Sequence, residues 1–305
     1  MNILAKMKSL LVTRAFLQQE SNRVLYQMKS DYLTRCALNC KDTGVTEFKY
    51  CESEIIVSLT TYGHRLYDVY LTIESIMQGS LKPNRIVLWL QDDMKAIKLP
   101  LYLKNQQERG LEISYCKDLK SFKKLIPTLE KYPNATIITI DDDVLYKEDI
   151  VEKLVNAYIA NPKHIYANRV HRIKFDNKGY PMRYNDWDWD MGSLSPSSLN
   201  FFTGVGGVLY PAHCFNKEIF NEKVFMNLCP HADDIWFYAM ALFNDFTVAK
   251  VFTHDPRGYD YYYTNDLFND SLSKINVINN KNDLQWKNVM EYYNLYTKIN
   301  KLKDK

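Results

Sequence analysis

The chain has 305 residues, 46% hydrophobic and 25% charged, which is ample material for a sizeable core and excludes wholesale disorder. Ten Gly and ten Pro exclude collagen-like or Pro-rich architecture, and no fixed period marks a solenoid or propeller. Lys and Arg outnumber Asp and Glu by 39 to 36; a formal charge of +3 gives no ground for a nucleic-acid partner, so an anionic ligand would need a local basic patch.

Residues 1–50 read as a helical, polar preamble. Ile3, Leu4, Met7, Leu10 and Leu11 share one helical face, and Lys6, Lys8 and Arg14 interrupt the apolar run. That interruption argues against a cleaved signal peptide, and no apolar run reaches the roughly 18 to 20 residues of a membrane span. Six cysteines without a CxxC pair read as reduced thiols rather than a disulfide framework or a zinc site. A cytoplasmic chain is expected, its preamble either packing on the domain or lying on the inner face of the membrane.

The core begins at 55–59 (IIVSL), a continuous apolar run of the kind buried on both faces of a sheet. A helix follows over 67–77, with Gly79 placed for a C-cap. Strands are then predicted at 85–90 (RIVLWL), 111–115 (LEISY) and 136–140 (TIITI), with helices at 120–131 and 148–161. Strand alternating with helix implies a parallel sheet whose carboxyl ends share one edge, where open α/β sheets bind their ligands. The second half is less regular: strands at 164–170 and 208–210, a loop at 185–198, a buried helix from Asp233 to 242 and a strand at 247–252 running into His254. From Asp283 a basic helix is predicted, with Leu284, Trp286, Val289, Met290, Tyr293, Tyr296 and Ile299 as its buried positions. The expected organisation is a helical extension over 1–50, an α/β domain over 51–280 and a basic helix over 281–305.

Chemistry is expected at the strand ends. Asp141, Asp142 and Asp143 follow the 136–140 strand directly, and such a self-repelling cluster is commonly held by a divalent cation, Mg²⁺ or Mn²⁺, unless it merely caps the next helix. Thr60, Thr61, Tyr62 and Arg65 follow the first strand, Asp92 the second and Asp118 the third, with Lys117, Lys120, Lys123 and Lys124 adding positive charge. These are the candidate nucleotide contacts, together with Asp141 and Asp142. No GxGxxG or GxxxxGKS is present, which leaves neither a dinucleotide fingerprint nor a P-loop. Asp233 and Asp234 stand at the mouth of the 233–242 helix, where a carboxylate serves either as a general base or as an N-cap. His254, at a strand end, is a candidate metal ligand beside the carboxylates. Gly204, Gly206 and Gly207 allow a close backbone approach or a plain turn. Trp187 and Trp189 alternate with Asp186, Asp188 and Asp190, a pattern that suits stacking on a sugar face and equally suits loop packing.

The ordered series IIVSLTTYGHR, LTIESIM, RIVLWLQDD, TIITIDDDV and PHADDIWF resembles the bacterial family 2-like glycosyltransferases of cell-surface polysaccharide gene clusters, from about Glu54 to Tyr293. The resemblance implies a GT-A fold: a mostly parallel central sheet flanked by helices. It further implies a nucleotide-sugar donor, expected to be a UDP-sugar, with Mn²⁺ or Mg²⁺ bridging protein and diphosphate. Asp141 and Asp143 match the acidic ends of that family's DxD motif, and Asp143 is the position implied to touch metal. His254 matches a late metal-ligand histidine of some members. Asp234 matches the last acidic position of the motif that supplies the base in inverting members; the Asp-Asp pair here leaves Asp233 open as an alternative. TTYGHR departs from the commoner pattern after the first strand. The implied acceptor is a glycan, lipid-linked at the cytoplasmic membrane face, in O-antigen or capsule assembly. The rival readings are a nucleotidyltransferase acting on sugar phosphates, which would release pyrophosphate, and a non-catalytic glycan-binding protein without nucleotide affinity.

Overall fold

The computed structural model describes residues 3–192, 195–252, 261–263 and 281–300. It opens with helix α1 (Ile3–Asn39), a stretch free of Gly and Pro and rich in straight-chain residues, so nothing interrupts its hydrogen-bond ladder. Over 3–12, where the apolar face of the preamble is expected, only the helical backbone is described. Further along, Ser30, Leu33 and Ala37 recur at helical spacing and are buried against the domain.

The chain then alternates strand and helix as expected, with α3 a helix not foreseen: β1 (Ile55–Thr60), α2 (Val69–Met77), β2 (Arg85–Gln91), α3 (Leu101–Glu108), β3 (Leu111–Cys116), α4 (Ile126–Lys131) and β4 (Thr136–Thr139). β5 (Val144–Tyr146) precedes α5 (Ile150–Ala160), and β6 (His164–Ala167), β7 (Val170–Arg172), β8 (Asn200–Phe202) and β9 (Val208–Tyr210) follow. The chain continues through α6 (Glu222–Leu228), α7 (Asp233–Phe243), β10 (Thr247–Lys250), β11 (Tyr261–Tyr263), α8 (Lys281–Tyr292) and α9 (Tyr296–Asn300).

The central sheet has seven strands in the order β10-β6-β9-β4-β1-β2-β3. All its pairings are parallel except those of β9, which runs antiparallel to both β4 and β6. This is the mixed α/β class expected from the sequence, a mostly parallel sheet flanked by helices. Side chains alternate between its faces. Ile55, Val57 and Leu59 join Ile86, Leu88 and Leu90 in one core with residues of α2, α3 and α5, while Ile56, Val87, Trp89 and Ile137 join residues of α7 and α8 in the other.

Several expectations are corrected. The helix of 120–131 is two pieces, a 3₁₀ turn at Lys120–Lys124 followed by α4, and Pro127 starts α4 where its missing N–H costs nothing. The strand of 164–170 divides: β6 stays in the main sheet, and β7 turns away to pair antiparallel with β8. β5, unforeseen as a strand, pairs antiparallel with β11. The C-terminal helix breaks at Asn294, whose φ of 51° closes α8 by bringing the Leu295 N–H onto the Met290 carbonyl. Trp286, Val289, Met290 and Ile299 are buried as expected and Tyr293 and Tyr296 are half-buried, whereas Leu284 is 61% exposed and Leu295 takes a buried place instead. No helix among the described residues is long and apolar enough to cross a membrane.

Candidate active site

The acidic triplet leaves β4 at the carboxyl edge of the sheet, next to the end of β1, with which β4 is paired in parallel. Its three side chains go two ways, Asp142 and Asp143 to Arg65 and Asp141 to Lys124. Asp142 turns towards β1: the Thr61 hydroxyl donates to Oδ2 at 2.5 Å and Arg65 Nη1 donates to Oδ1 at 2.9 Å. Arg65 also reaches Asp143 Oδ2 at 3.0 Å. Thr72 of α2 donates to the carbonyls of Asp142 and Val144, fixing the backbone between them. Tyr146 clamps the other side: its hydroxyl accepts the Asp141 N–H at 3.0 Å and donates to the Val205 carbonyl at 3.0 Å.

Asp141 points instead to Lys124, which gathers a second group. The Lys124 ammonium lies 2.9 Å from Asp141 Oδ1, 2.8 Å from Asp233 Oδ2 and 3.8 Å from Asp234 Oδ1. It is put there by Phe122, fully buried two residues earlier, which stacks on Phe225 and meets Phe237 edge-on, and by Thr128 of α4, which takes hydrogen bonds from Trp89 and shares one with Ser58. Asp233 and Asp234 open α7, near the positive end of its dipole. The Gly204 N–H donates to Asp234 Oδ2 at 2.9 Å, and a Cβ at Gly204 would sit 2.5 Å from Lys124 Nζ and 3.0 Å from Asp234 Oδ1. Only a residue without a side chain fits between them.

The electrostatics follow from the count. Two joined groups hold five carboxylates, Asp141, Asp142, Asp143, Asp233 and Asp234, against Lys124 and Arg65. Burial raises Asp234 to about 7, with Asp233 and Asp141 adding to the rise and Lys124 opposing it. Burial, then Asp142 and Asp141, raises Asp143 to about 6 against the pull of Arg65. Asp142 is also raised by burial, held back by Arg65 and the Thr61 hydrogen bond. Although burial disfavours its charge, Lys124 keeps its proton far above the usual lysine range because of Asp141, Asp233 and Asp234.

Thr61, Arg65, Asp142 and Asp143 therefore form one predicted group, and Lys124, Asp141, Asp233 and Asp234 the other. The remaining candidates are occupied locally. Thr60 donates to the Trp89 carbonyl within the sheet, Asp92 pairs with Lys95, and Asp118 takes the Lys120 N–H and the Lys123 ammonium in its own turn. Lys117 pairs with Glu222. Tyr62 is half-exposed, with the Arg65 guanidinium 5.3 Å over its ring. His254 lies outside the described residues. Tyr146 was not foreseen, although a buried tyrosine three residues after an acidic triplet must place its hydroxyl on a polar partner.

A divalent cation needs several oxygen ligands at close range. No three His, Cys, Asp or Glu side chains among the described residues converge on one. The excess of carboxylates nevertheless suits a cation carried in with an anionic ligand, and the Asp143 side chain is 32% exposed, against 9% for Asp142. The fit is to a cation shared between Asp143 and ligand oxygens, not to a closed protein cage.

No protein-family model matches the chain, and no curated protein matches it. Solved structures to which it is similar include S. aureus TarS 1–349, at 13% identity and a TM-score of 0.49, covering 80% of this chain and 65% of that one. TarS 1–349 in complex with UDP is similar at 14% identity and a TM-score of 0.46, covering 69% and 60%. A CMP:2-keto-3-deoxy-manno-octonic acid synthetase complexed with CTP is similar at 9% identity and a TM-score of 0.37, covering 67% and 90%. The chain spans less than two thirds of either TarS structure. At scores below 0.5 none of the three bears on the chemistry of the site, which rests on the geometry of this chain.

Proposed function

We propose that the chain is a glycosyltransferase of the GT-A type that moves a sugar from a nucleoside-diphosphate donor, a UDP-sugar, to a hydroxyl of a glycan acceptor with inversion at the anomeric carbon. The observation that carries this reading is the meeting of two acidic groups on one buried lysine at the carboxyl edge of a parallel sheet. One group suits the donor and the other suits the acceptor. Asp143, with Asp141 and His254 as the further ligands implied by the sequence resemblance, would hold a divalent cation, Mn²⁺ or Mg²⁺, which would supply charge neutralisation for a leaving diphosphate.

The residues of the chain divide the remaining work. Thr61 and Arg65 hold Asp142 still, and with it the backbone that presents Asp143. Asp234, raised to about 7, has the basicity to take the proton of an acceptor hydroxyl near neutral pH. The Gly204 N–H fixes one of its oxygens, leaving the other directed into the Lys124 group. Lys124 sets its positive charge beside Asp141, Asp233 and Asp234, so the carboxylates of this group face a fixed counter-charge within the site. Cell-surface polysaccharide assembly at the cytoplasmic membrane face is the setting proposed for this reaction.

The test is calorimetric titration of the full chain with UDP, with GDP and CMP as comparators, with and without Mn²⁺, and the same for Asp143→Ala. UDP binding that requires both Mn²⁺ and Asp143 is expected. Absence of nucleotide binding under either condition overturns the proposal, and CTP turnover with pyrophosphate release would replace it by nucleotidyl transfer.

A further inference from the structure

The Asp- and Trp-rich loop at 185–192 holds two tryptophans with different fates. Trp187 is 4% exposed, packed among Tyr184, Phe201 and Trp286 with its indole N–H on the Met182 carbonyl, and belongs to the core. Trp189 is 39% exposed and yet held on several sides. The loop runs antiparallel beside β7, with Asp188 opposite Arg172, so Trp189 falls opposite His171. The two rings stack with centroids 4.7 Å apart and planes at 27°. The indole N–H donates to the Tyr184 carbonyl at 3.3 Å, the Tyr184 ring meets Trp189 edge-on at 5.5 Å, and the Arg169 guanidinium lies 5.8 Å from its centroid. A large apolar ring immobilised while partly exposed has already lost its rotamer freedom, so a ligand laid on it pays little further ordering cost.

The neighbours of this ring lead to Asp234. Arg169 Nη1 donates to Thr203 Oγ1 at 3.1 Å, and the Thr203 N–H donates back to the Arg169 carbonyl at 3.1 Å. Gly206 is pressed onto the same arginine, where a Cβ would lie 2.7 Å from Arg169 Cβ. Gly204, the residue after Thr203, donates to Asp234. The anchor of the tryptophan and the anchor of the candidate base are therefore consecutive residues of one loop, about 3.8 Å apart at Cα. His171 is buried with its Nδ1 accepting the Asp190 N–H, which holds the loop that bears the platform.

We infer that Trp189 is a stacking platform for the acceptor sugar, taking the C–H face of a pyranose ring on its exposed part so that a hydroxyl at the sugar's edge is presented towards Asp234, with His171 stacked on the indole and Arg169 beside it as positioning residues. The chemical class is a pyranoside with an unhindered C–H face; assigning it to the acceptor rests on the reading of Asp234 as the acceptor-side base. The indole supplies apolar area and a π-face, and the loop of 203–206 sets its distance from the reacting hydroxyl.

The test uses saturation-transfer NMR on the full chain in the presence of UDP, with methyl β-D-glucopyranoside, methyl β-D-galactopyranoside and methyl N-acetyl-β-D-glucosaminide as probes, and with UDP affinity measured in parallel. Ring-proton saturation from at least one glycoside is expected in the wild type and in Trp189→Phe, and binding weaker by roughly five- to tenfold in Trp189→Leu, with UDP affinity unchanged in all three. Leu keeps the position apolar but removes the flat π-face together with part of the volume and the indole N–H bond to Tyr184, so a thermal melt matching the wild type is what separates lost stacking from lost folding. Equal glycoside binding by Trp189→Leu and wild type overturns the inference, as does a wild type that binds UDP and none of the glycosides. Glycoside binding that depends on Trp189 in a chain without UDP affinity would overturn the donor reading and leave the platform standing as a glycan site.

Discussion

Two buried ion clusters in this protein differ in one respect, their charge balance. Between α2 and α3, Arg109 Nη1 lies 2.9 Å from both oxygens of Glu74, whose Oε2 also accepts from Gln106, and Arg109 Nε donates to the Asp42 carbonyl. One cation meets one carboxylate, both side chains are under 5% exposed, and the pair ties the segment after α1 to two helices. At the sheet edge, Lys124 instead faces Asp141, Asp233 and Asp234. The first cluster is balanced in charge, although Arg109 Nη2 and Gln106 Oε1 are buried there without a hydrogen-bond partner. The second carries carboxylates in excess of its cation, and burial, with Asp233 and Asp141 adding to the rise and Lys124 opposing it, raises Asp234 to about 7. Burial alone does not mark function; buried charge that its own neighbours leave unbalanced does.

The largest expected effect separates the two clusters by what each loses. Asp234→Asn should lower glycosyl transfer by about 10²–10⁴-fold, the range for a positioned general base, while leaving UDP affinity and the unfolding midpoint close to wild type. In the wild type the rate should fall as pH drops through about 7, because the Asp234 carboxylate then takes up a proton; a pH–rate profile checks this. If Asp234→Asn instead lost several kcal/mol of stability, the lysine cluster would be structural in the same sense as the arginine one.

Glu74→Ala is the mirror experiment. It leaves the Arg109 guanidinium buried without its carboxylate, so urea unfolding should show a loss of about 3–5 kcal/mol, with residual transfer per folded molecule unchanged. Gly204→Ala is expected to cost less, about 1–3 kcal/mol, because its Cβ must displace the Lys124 ammonium from 2.5 Å, and here the loss should appear in both thermal stability and transfer rate.

The smallest effect depends on pH. Burial, and then the charge of Arg169, pushes His171 down to about 2, so the folded state holds it neutral while the unfolded chain titrates near 6.5. The unfolded state then binds more protons below 6.5, and stability present above that pH is lost as pH falls, by about 2 kcal/mol at pH 5. Asp143 and Asp234 act in the opposite sense, since raised carboxyls favour the folded state more at low pH. Comparing wild type with His171→Gln by denaturant unfolding at pH 5 and pH 7 isolates the histidine: the variant should lose less on acidification.

Much of this was legible before any coordinates. The runs at Ile55, Arg85 and Thr136 are largely apolar without alternation because their strands are covered on both faces, whereas 111–115 alternates and forms the half-buried edge strand β3; both patterns are local properties of the chain. The acidic triplet was legible as a site because it follows such a run directly. The direction of each carboxylate was not. Lys124 and Asp141 are 17 residues apart, and Gly204 and Asp234 are 30 apart, so their contacts depend on crossovers whose spacing leaves no periodic trace. The same limit applies to β9, whose three-residue run reads like any other buried strand although it enters antiparallel between β4 and β6. It also applies to Trp187 and Trp189, two residues apart and compositionally equivalent until β7 fixes which of them faces solvent.

The sequence by itself determined the α/β class, the main-sheet strands of the first half, the sheet edge that carries the candidate site and the residue types brought to it, because apolar run length, helical periodicity and strand-end position are written locally. Tertiary structure alone decided that Lys124 neutralises Asp141 rather than waiting for a ligand, that Arg65 binds Asp142 and Asp143, that Asp92 and Asp118 are satisfied in their own turns, and that Trp189 is the exposed indole. The physical reason is common to all four: a charge or a ring takes its role from the groups within a few ångströms, and those groups come from parts of the chain that only folding brings together.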